Sequence, residues 1–242
     1  MKKLSAAFTL ALVALIAAYF LIPQVPDRPR ARDIVEIRER VSPLLSHDLE
    51  AKGLAFGAPV FIRIFKEERA LELWVKGDES FALFRSYDIC NHSGGLGPKL
   101  KEGDRQSPEG FYRVGKGALN PNSSYHLSFN LGFPNAYDRS QGRTGSFLMV
   151  HGACASIGCY AMTDAKIEEI YVLVEAALNA GQEAVPVHAF PFRMTEARLA
   201  REVGNRWHGF WRDLKAGYDA FEAEGVPPAI RVSGGQYRIG ES

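Results

Sequence analysis

The segment His151-Gly152-Ala153-Cys154-Ala155-Ser156-Ile157-Gly158-Cys159-Tyr160 gathers a thiol, an imidazole and two glycines. Together these could perform acyl transfer. A cysteine attacks acyl carbon as its thiolate, so its pKa must be drawn down from about 8.5 by a cation, backbone donors or a helix N-terminus. Cys159 stands shortly before Thr163-Asp164, a helix-capping pair, and Gly158 before it lets a substrate approach the backbone. The amides of Gly158, Cys159 and Tyr160 could form an oxyanion hole, and His151 is the natural base. Cys154 has no such glycine and reads as a loop or packing residue. The bland alternative keeps both His151 and Cys159 as structural groups. A zinc site of the His-Gly-x-Cys type lacks a CxxC pair or second histidine element, so no metal and no cofactor is expected.

Several elements must hold this segment. Phe147–Val150 is a continuous apolar run, as in a buried strand that delivers His151 at its end. After Cys159, Ile167, Ile170, Tyr171, Val174 and Leu178 recur at helical spacing up to Gly181. Upstream, Val60-Ile62-Ile64, Leu71-Leu73-Val75 and Phe81-Leu83-Phe84 alternate as a meander of short strands, with Gly77-Asp78 as a turn. Phe111–Val114, Tyr125–Phe129 and Val185–Phe190 add strands. Residues 196–224 read as one or two amphipathic helices broken near Gly204, with Trp207, Phe210 and Trp211 packing inward. Residues 230–240 read as a hairpin or extended tail. Before the meander, Ile34, Ile37, Val41, Leu44 and Leu45 predict a helix capped by Asp33. Cys90, after a strand, reads most simply as a buried thiol.

These residues carry a resemblance. A strand ending in His-Gly, followed by Ser-x-Gly-Cys and a helix, is similar to the signature of the YkuD-type L,D-transpeptidases. Upstream, Gly103-Asp104-Arg105-Gln106-Ser107-Pro108-Glu109-Gly110-Phe111-Tyr112 resembles that family's Gly-Asp-x-x-Thr-Pro-x-Gly-x-Tyr element. Asn120–Ser128, Phe133–Arg139 and Ser156–Asp164 look like its YafK-like subgroup. Ile157 stands where the family has a second histidine, and Tyr160-Ala161 replaces an aliphatic-Asn/Arg pair.

The resemblance implies an α+β fold, a mainly β sandwich decorated by helices, over residues 59–192, with a helical extension at 193–242. It implies Cys159 as nucleophile, His151 as base, Gly152 holding the histidine and Gly158 serving the oxyanion hole. The substrate would be peptidoglycan stem peptides, attacked at the carbonyl of the meso-diaminopimelate L-centre to give a thioester. An amine would then complete transpeptidation and water would complete hydrolysis, including release of a peptidoglycan-linked lipoprotein. Ser156, His126, Lys99, Arg105 and Arg139 are candidates for substrate contact, each equally readable as a loop or strand residue in an ordinary role. An idle wall-binding module is the rival from another class.

The 242 residues, 46% apolar and 24% charged, can bury one substantial core, and a net charge of +1 gives no reason to expect nucleic acid. Met1-Lys2-Lys3 and the apolar run Leu4–Ile22 read as a signal peptide or membrane anchor over 1–23, followed by a linker and helix over 24–58. The catalytic part is thus expected in the periplasm, soluble or tethered to the inner membrane. Three cysteines leave at least one thiol unpaired within the chain; Cys90–Cys154 and Cys154–Cys159 bridges are both open.

Overall fold

The structure, a computed structural model, describes residues 31–240. The apolar run expected to target or anchor the chain lies outside the described residues. Two five-stranded sheets form an α+β fold, together with helices and a C-terminal hairpin.

In the first sheet, β1 (Val60–Phe65) lies between β2 (Ala70–Lys76) and β10 (Ala184–Phe190). The order is β3-β2-β1-β10-β5, with β3 at Phe81–Asp88 and β5 at Gly110–Gly115. β1 pairs antiparallel with β2 and parallel with β10. All six β1 residues are buried, so the alternation read from Val60, Ile62 and Ile64 misses that both faces of this strand are covered. In β3 only Phe84 and Tyr87 are buried, whereas Leu83 is exposed; a register shift at Leu73/Trp74 disturbs the facing of this edge pair.

The second sheet runs β4-β9-β8-β7-β6, where β4 is Asn91–His92, β6 Leu119–Ser123, β7 His126–Asn130, β8 Met149–His151 and β9 Tyr160–Ala161. Helix α1 (Ala31–Glu50) buries Ile34, Ile37, Val41, Leu45 and Leu49. Leu44 points outward instead, and Asp33, expected just before the helix, falls within it. Arg38 holds Glu175 and Arg40 holds Glu168, both at 2.6 Å, fixing α1 on the helix α3 (Asp164–Asn179). The short α2 is Ala136–Ser140.

A second, aromatic core joins the C-terminal extension to the first sheet. Helices α4 (Glu196–Ala200) and α5 (His208–Glu224) supply Leu199, Phe210, Trp211, Leu214 and Tyr218 to it. Trp211 is fully buried, its indole donating to Glu109 Oε2 at 2.8 Å. The final residues form the hairpin β11 (Ile230–Ser233) and β12 (Gln236–Ile239), closed by Gly234-Gly235, both at positive φ.

Candidate active site

β8 and β9 run parallel, pairing Val150 with Tyr160 and His151 with Ala161. Cys159 immediately precedes β9 and so comes alongside Met149, two register positions from His151. The contacts agree with this placement. The Met149 amide donates to Cys159 Sγ at 3.4 Å, and the thiol reaches Phe147 O at 3.6 Å. Val150 and Tyr160 are fully buried, and the Tyr160 hydroxyl donates to Pro108 O at 2.7 Å. Tyr160 thus anchors the strand beneath the thiol.

Two hydroxyls brace the turn before Cys159. Ser156 Oγ donates to Cys159 O at 2.7 Å and accepts from the Gly158 amide at 3.1 Å; Ser107 Oγ reaches the same carbonyl at 3.0 Å. Gly158 has φ +147, a conformation open to glycine. Its amide, expected as an oxyanion donor, points to Ser156 Oγ. Ser107 belongs to the Gly-Asp-x-x-Ser-Pro element, so that motif supports the thiol from below. Its position inside a recognised motif was the available signal.

His151 is held as one tautomer. Its Nδ1 donates to Gly152 O at 2.6 Å, leaving Nε2 as the proton acceptor, and the Tyr125 ring lies 4.8 Å away, centroid to centroid. Burial lowers the imidazole pKa against the raising effect of that hydrogen bond. Burial likewise raises the Cys159 thiol, with the Met149 amide and the positive charge of Lys99 pulling it down. Burial thus disfavours the charged form of each group. Tyr125 escaped the sequence reading because an aromatic at a strand start looks like ordinary β propensity.

The helix does not touch the thiol as expected. β9 separates Cys159 from α3, and the start of α3 lies beneath the loop after His151. Thr163 is the N-cap but makes no side-chain cap bond; Asp164 Oδ1 instead accepts from the Ala153 amide at 2.7 Å. Gly152 sits in a tight spot, since a Cβ there would lie 2.6 Å from Asp164 Oδ1 and 3.0 Å from His126 Cβ. Gly152→Ala is therefore expected to cost about 1–3 kcal/mol by overpacking, measured as a lower denaturant midpoint with unchanged slope. A midpoint within error of wild type would show that this crevice yields freely.

The remaining candidates are spread out. His126 Nε2 meets Glu168 Oε1 at 2.8 Å, and Glu168 holds Arg40, so this imidazole ties β7 to α3 and α1. Lys99 is buried, donating to Asp104 Oδ1 at 2.6 Å and Lys101 O at 3.0 Å. It acts on the thiol by charge at a distance. Arg105 is exposed at φ +53 and makes no hydrogen bond or ion pair among the described residues. Arg139 is exposed and donates to Pro134 O. Arg143, its neighbour in sequence, is buried against Asp138 at 2.8 Å.

The cysteines resolve differently from the simplest reading. Cys90 is not a free buried thiol and Cys154 is not a mere loop residue; they are bonded to each other, with Cα atoms 5.2 Å apart. Cys159 is the free thiol. No group of His, Cys, Asp and Glu suited to a metal ion occurs among the described residues.

The chain is similar to known proteins. Residues 59–188 match the family model of the YkuD L,D-transpeptidase catalytic domain. The chain is 47% identical over 227 residues to YafK of Escherichia coli (strain K12), assigned to the L,D-transpeptidases by name alone, covering 94% of this chain and 89% of that one. The YafK of Escherichia coli O157:H7 matches equally. Among solved structures, a K307A mutant of the helical cell shape determining protein Pgp2 from Campylobacter jejuni is 20% identical. It covers 73% of this chain and 63% of its own, with a TM-score of 0.46.

Proposed function

Because this chain belongs to the YkuD family of L,D-transpeptidase catalytic domains, whose substrate is peptidoglycan, we propose that it is a cysteine acyltransferase working on stem peptides through Cys159. The observation that carries this reading is the pairing of a free thiol with a tautomer-locked imidazole two register positions away on the neighbouring strand.

Burial that disfavours both charges shapes the course of the reaction. As Sγ attacks the carbonyl of the diaminopimelate L-centre, His151 Nε2 takes the thiol proton, so charge separates only as the C–S bond forms. The tetrahedral oxyanion is met by the amide of Cys159, since that of Gly158 is engaged. Collapse breaks the C–N bond, and the His151 proton leaves with the departing amine. A thioester remains on Cys159. An incoming amine gives a crosslink and water gives hydrolysis, which would release a lipoprotein joined through that bond.

The hydrolytic alternative draws on the 47% identity to YafK and on the departures Ile157 and Tyr160-Ala161. Ile157 is 80% exposed beside the thiol, an apolar surface where the family pattern has a histidine. The Cys90–Cys154 bridge supports export to an oxidising compartment, consistent with a periplasmic domain delivered by the N-terminal segment.

The test is intact mass spectrometry of the protein mixed with disaccharide tetrapeptide, followed by analysis of digested sacculi. The acyltransferase reading expects an adduct on Cys159, then either diaminopimelate-to-diaminopimelate crosslinks or loss of lipoprotein-bearing muropeptides. Absence of both adduct and product, with the substrate still bound, would establish the wall-binding module instead.

A further inference from the structure

Lys66 follows β1 directly, and its side chain is fully buried, as is that of Glu109, its ion-pair partner at 3.0 Å. A lysine is rarely hidden from water unless each of its protons finds an acceptor. Here all three do. Nζ donates to Gly97 O at 2.9 Å, to Ser107 O at 3.1 Å and to Glu109 Oε1 at 3.0 Å. The carboxylate is satisfied too, accepting from the Gly97 amide on Oε1 at 2.7 Å and from the Trp211 indole on Oε2 at 2.8 Å. Exchanging a buried ion pair for apolar groups of similar shape is often neutral or stabilising, so stability does not account for this pair. What it holds in place accounts for it better.

On one side the pair leads to the thiol. Ser107, whose carbonyl Lys66 holds, is fully buried. Its amide donates to Ser93 O at 2.9 Å and its Oγ accepts from the Ser93 amide at 3.2 Å, which fixes both its main chain and its rotamer. The Oγ proton goes to Cys159 O at 3.0 Å, and Ser156 Oγ donates to the same carbonyl at 2.7 Å. Two donors thus set the plane of the peptide that follows the thiol. Tyr160 adds a parallel tie, donating to Pro108 O between Ser107 and Glu109 at 2.7 Å. On the other side the pair leads to the C-terminal extension. Trp211 lies on α5, and Trp207, just before that helix, is so close to Gly97 that a Cβ there would stand 2.5 Å from its Nε1. Neither tryptophan falls within the matched residues 59–188.

Resting on the acyl-transfer reading, we propose that Lys66, Glu109 and Trp211 are positioning residues for Cys159. Helix α5, acting through the buried ion pair and Ser107, sets where the thiol and the Cys159 amide stand relative to His151. The route is Trp211 to Glu109, Glu109 to Lys66, Lys66 to Ser107 O and Ser107 Oγ to Cys159 O, with every contact between 2.8 and 3.1 Å. All three residues are buried, so none reaches a substrate. A break in the route lets the Cys159 carbonyl turn. That turn carries Sγ off the Met149 amide, 3.4 Å away, and away from the imidazole that takes its proton. Misplacing a reacting group by about 1 Å can cost about a hundredfold in rate, and a relaxed link behind it should cost less.

Two variants of α5 separate positioning from support of the fold. Trp211→Phe keeps an aromatic ring but removes the indole donor to Glu109, whereas Leu214→Ala opens the same buried core and leaves that hydrogen bond in place. With disaccharide tetrapeptide, at a temperature where both are folded, Trp211→Phe is expected to lower kcat about tenfold with KM within about twofold. Leu214→Ala should keep both within about twofold, although it is the less stable protein. A second readout needs no substrate. Cysteine labelled with ¹³C at its carbonyl gives signals from Cys90, Cys154 and Cys159, and the one missing from Cys159→Ala reports the hydrogen bonds to Cys159 O. Ser107→Ala should shift that signal, Trp211→Phe should shift it in the same direction, and Leu214→Ala should leave it alone. The double variant Lys66→Met/Glu109→Gln, which strands no lone charge, should behave as Trp211→Phe does; if it does not fold, Trp211→Phe against Leu214→Ala decides. Equal losses of kcat in the two α5 variants, no loss in either, or an unmoved Cys159 signal in Trp211→Phe would overturn the proposal. If the wild type turns over no stem peptide, the acyl-transfer reading fails, and the carbonyl signal alone judges the positioning: a shift in Trp211→Phe absent from Leu214→Ala upholds it, and any other pattern refutes it.

Discussion

Replacing Cys159 by alanine is expected to lower turnover of a stem-peptide substrate by at least about a thousandfold while leaving the protein folded. Loss of a nucleophile removes the covalent route entirely, and what survives in such variants is the contribution of binding and oxyanion donors. The structural cost should be about 1 kcal/mol or less, because the side chain is only partly buried and its polar contacts are long ones to Met149 N and Phe147 O. Cys90 and Cys154 cannot substitute for it, being bonded to each other. The pH dependence is the more discriminating readout. Burial lowers the His151 imidazole, so the acidic limb of kcat/KM should lie below the ordinary value of about 6.5, where that base becomes protonated. Burial raises the thiol, so alkylation of Cys159 by iodoacetamide should still be accelerating above about pH 9. A flat alkylation rate from pH 6 upward would instead reveal a preformed thiolate–imidazolium pair. Retention of full turnover by Cys159→Ala would end the acyl-enzyme account.

The second half of the fold was legible where local chemistry speaks for itself. Thr163-Asp164, the helical spacing from Ile167 to Leu178 and the terminal Gly181 marked α3 correctly; the apolar run Phe147–Val150 pointed to β8, but the strand begins only at Met149 and Phe147 is exposed. Less legible was anything decided by a partner distant in sequence. β1 alternates on paper, yet α3 and α5 cover it from opposite sides, and only tertiary packing reveals that. Asp164 looked like a capping residue, but the loop it supports returns from the preceding strand to use its carboxylate. Lys99 and His126 looked available for substrate because their partners, Asp104 and Glu168, are presented by a folded loop and a helix. Proximity in sequence to a helix start similarly suggested a thiol at a helix terminus. The two residues of β9 suffice to carry Cys159 away from it.

The disulfide offers the largest expected change in stability. Cys90 and Cys154 are separated by 64 residues, so their bond removes a long closed loop's worth of disorder from the unfolded chain. The chain-entropy relation puts this at about 4 kcal/mol. The double variant Cys90→Ser/Cys154→Ser, which leaves no stray thiol to compete with Cys159, should therefore lose about that much unfolding free energy. Urea titration would measure it, and wild type held in reductant should approach the same curve. The bridge also closes a loop in which Ala153 and Cys154 adopt φ of +62 and +54, a region costly for residues with a Cβ. The bond and the Asp164 hydrogen bond together hold them there. His151 itself is set by the β7–β8 ladder and by Gly152 O, contacts that involve neither bridged cysteine. Loss of the bridge should consequently reduce stability far more than kcat, which should fall by less than about tenfold at temperatures where the variant remains folded. A stability loss under about 1 kcal/mol would mean that the unfolded chain already keeps these two segments together. A collapse of kcat in a fully folded variant would place the bridge in the positioning of the base rather than in the stability of the fold.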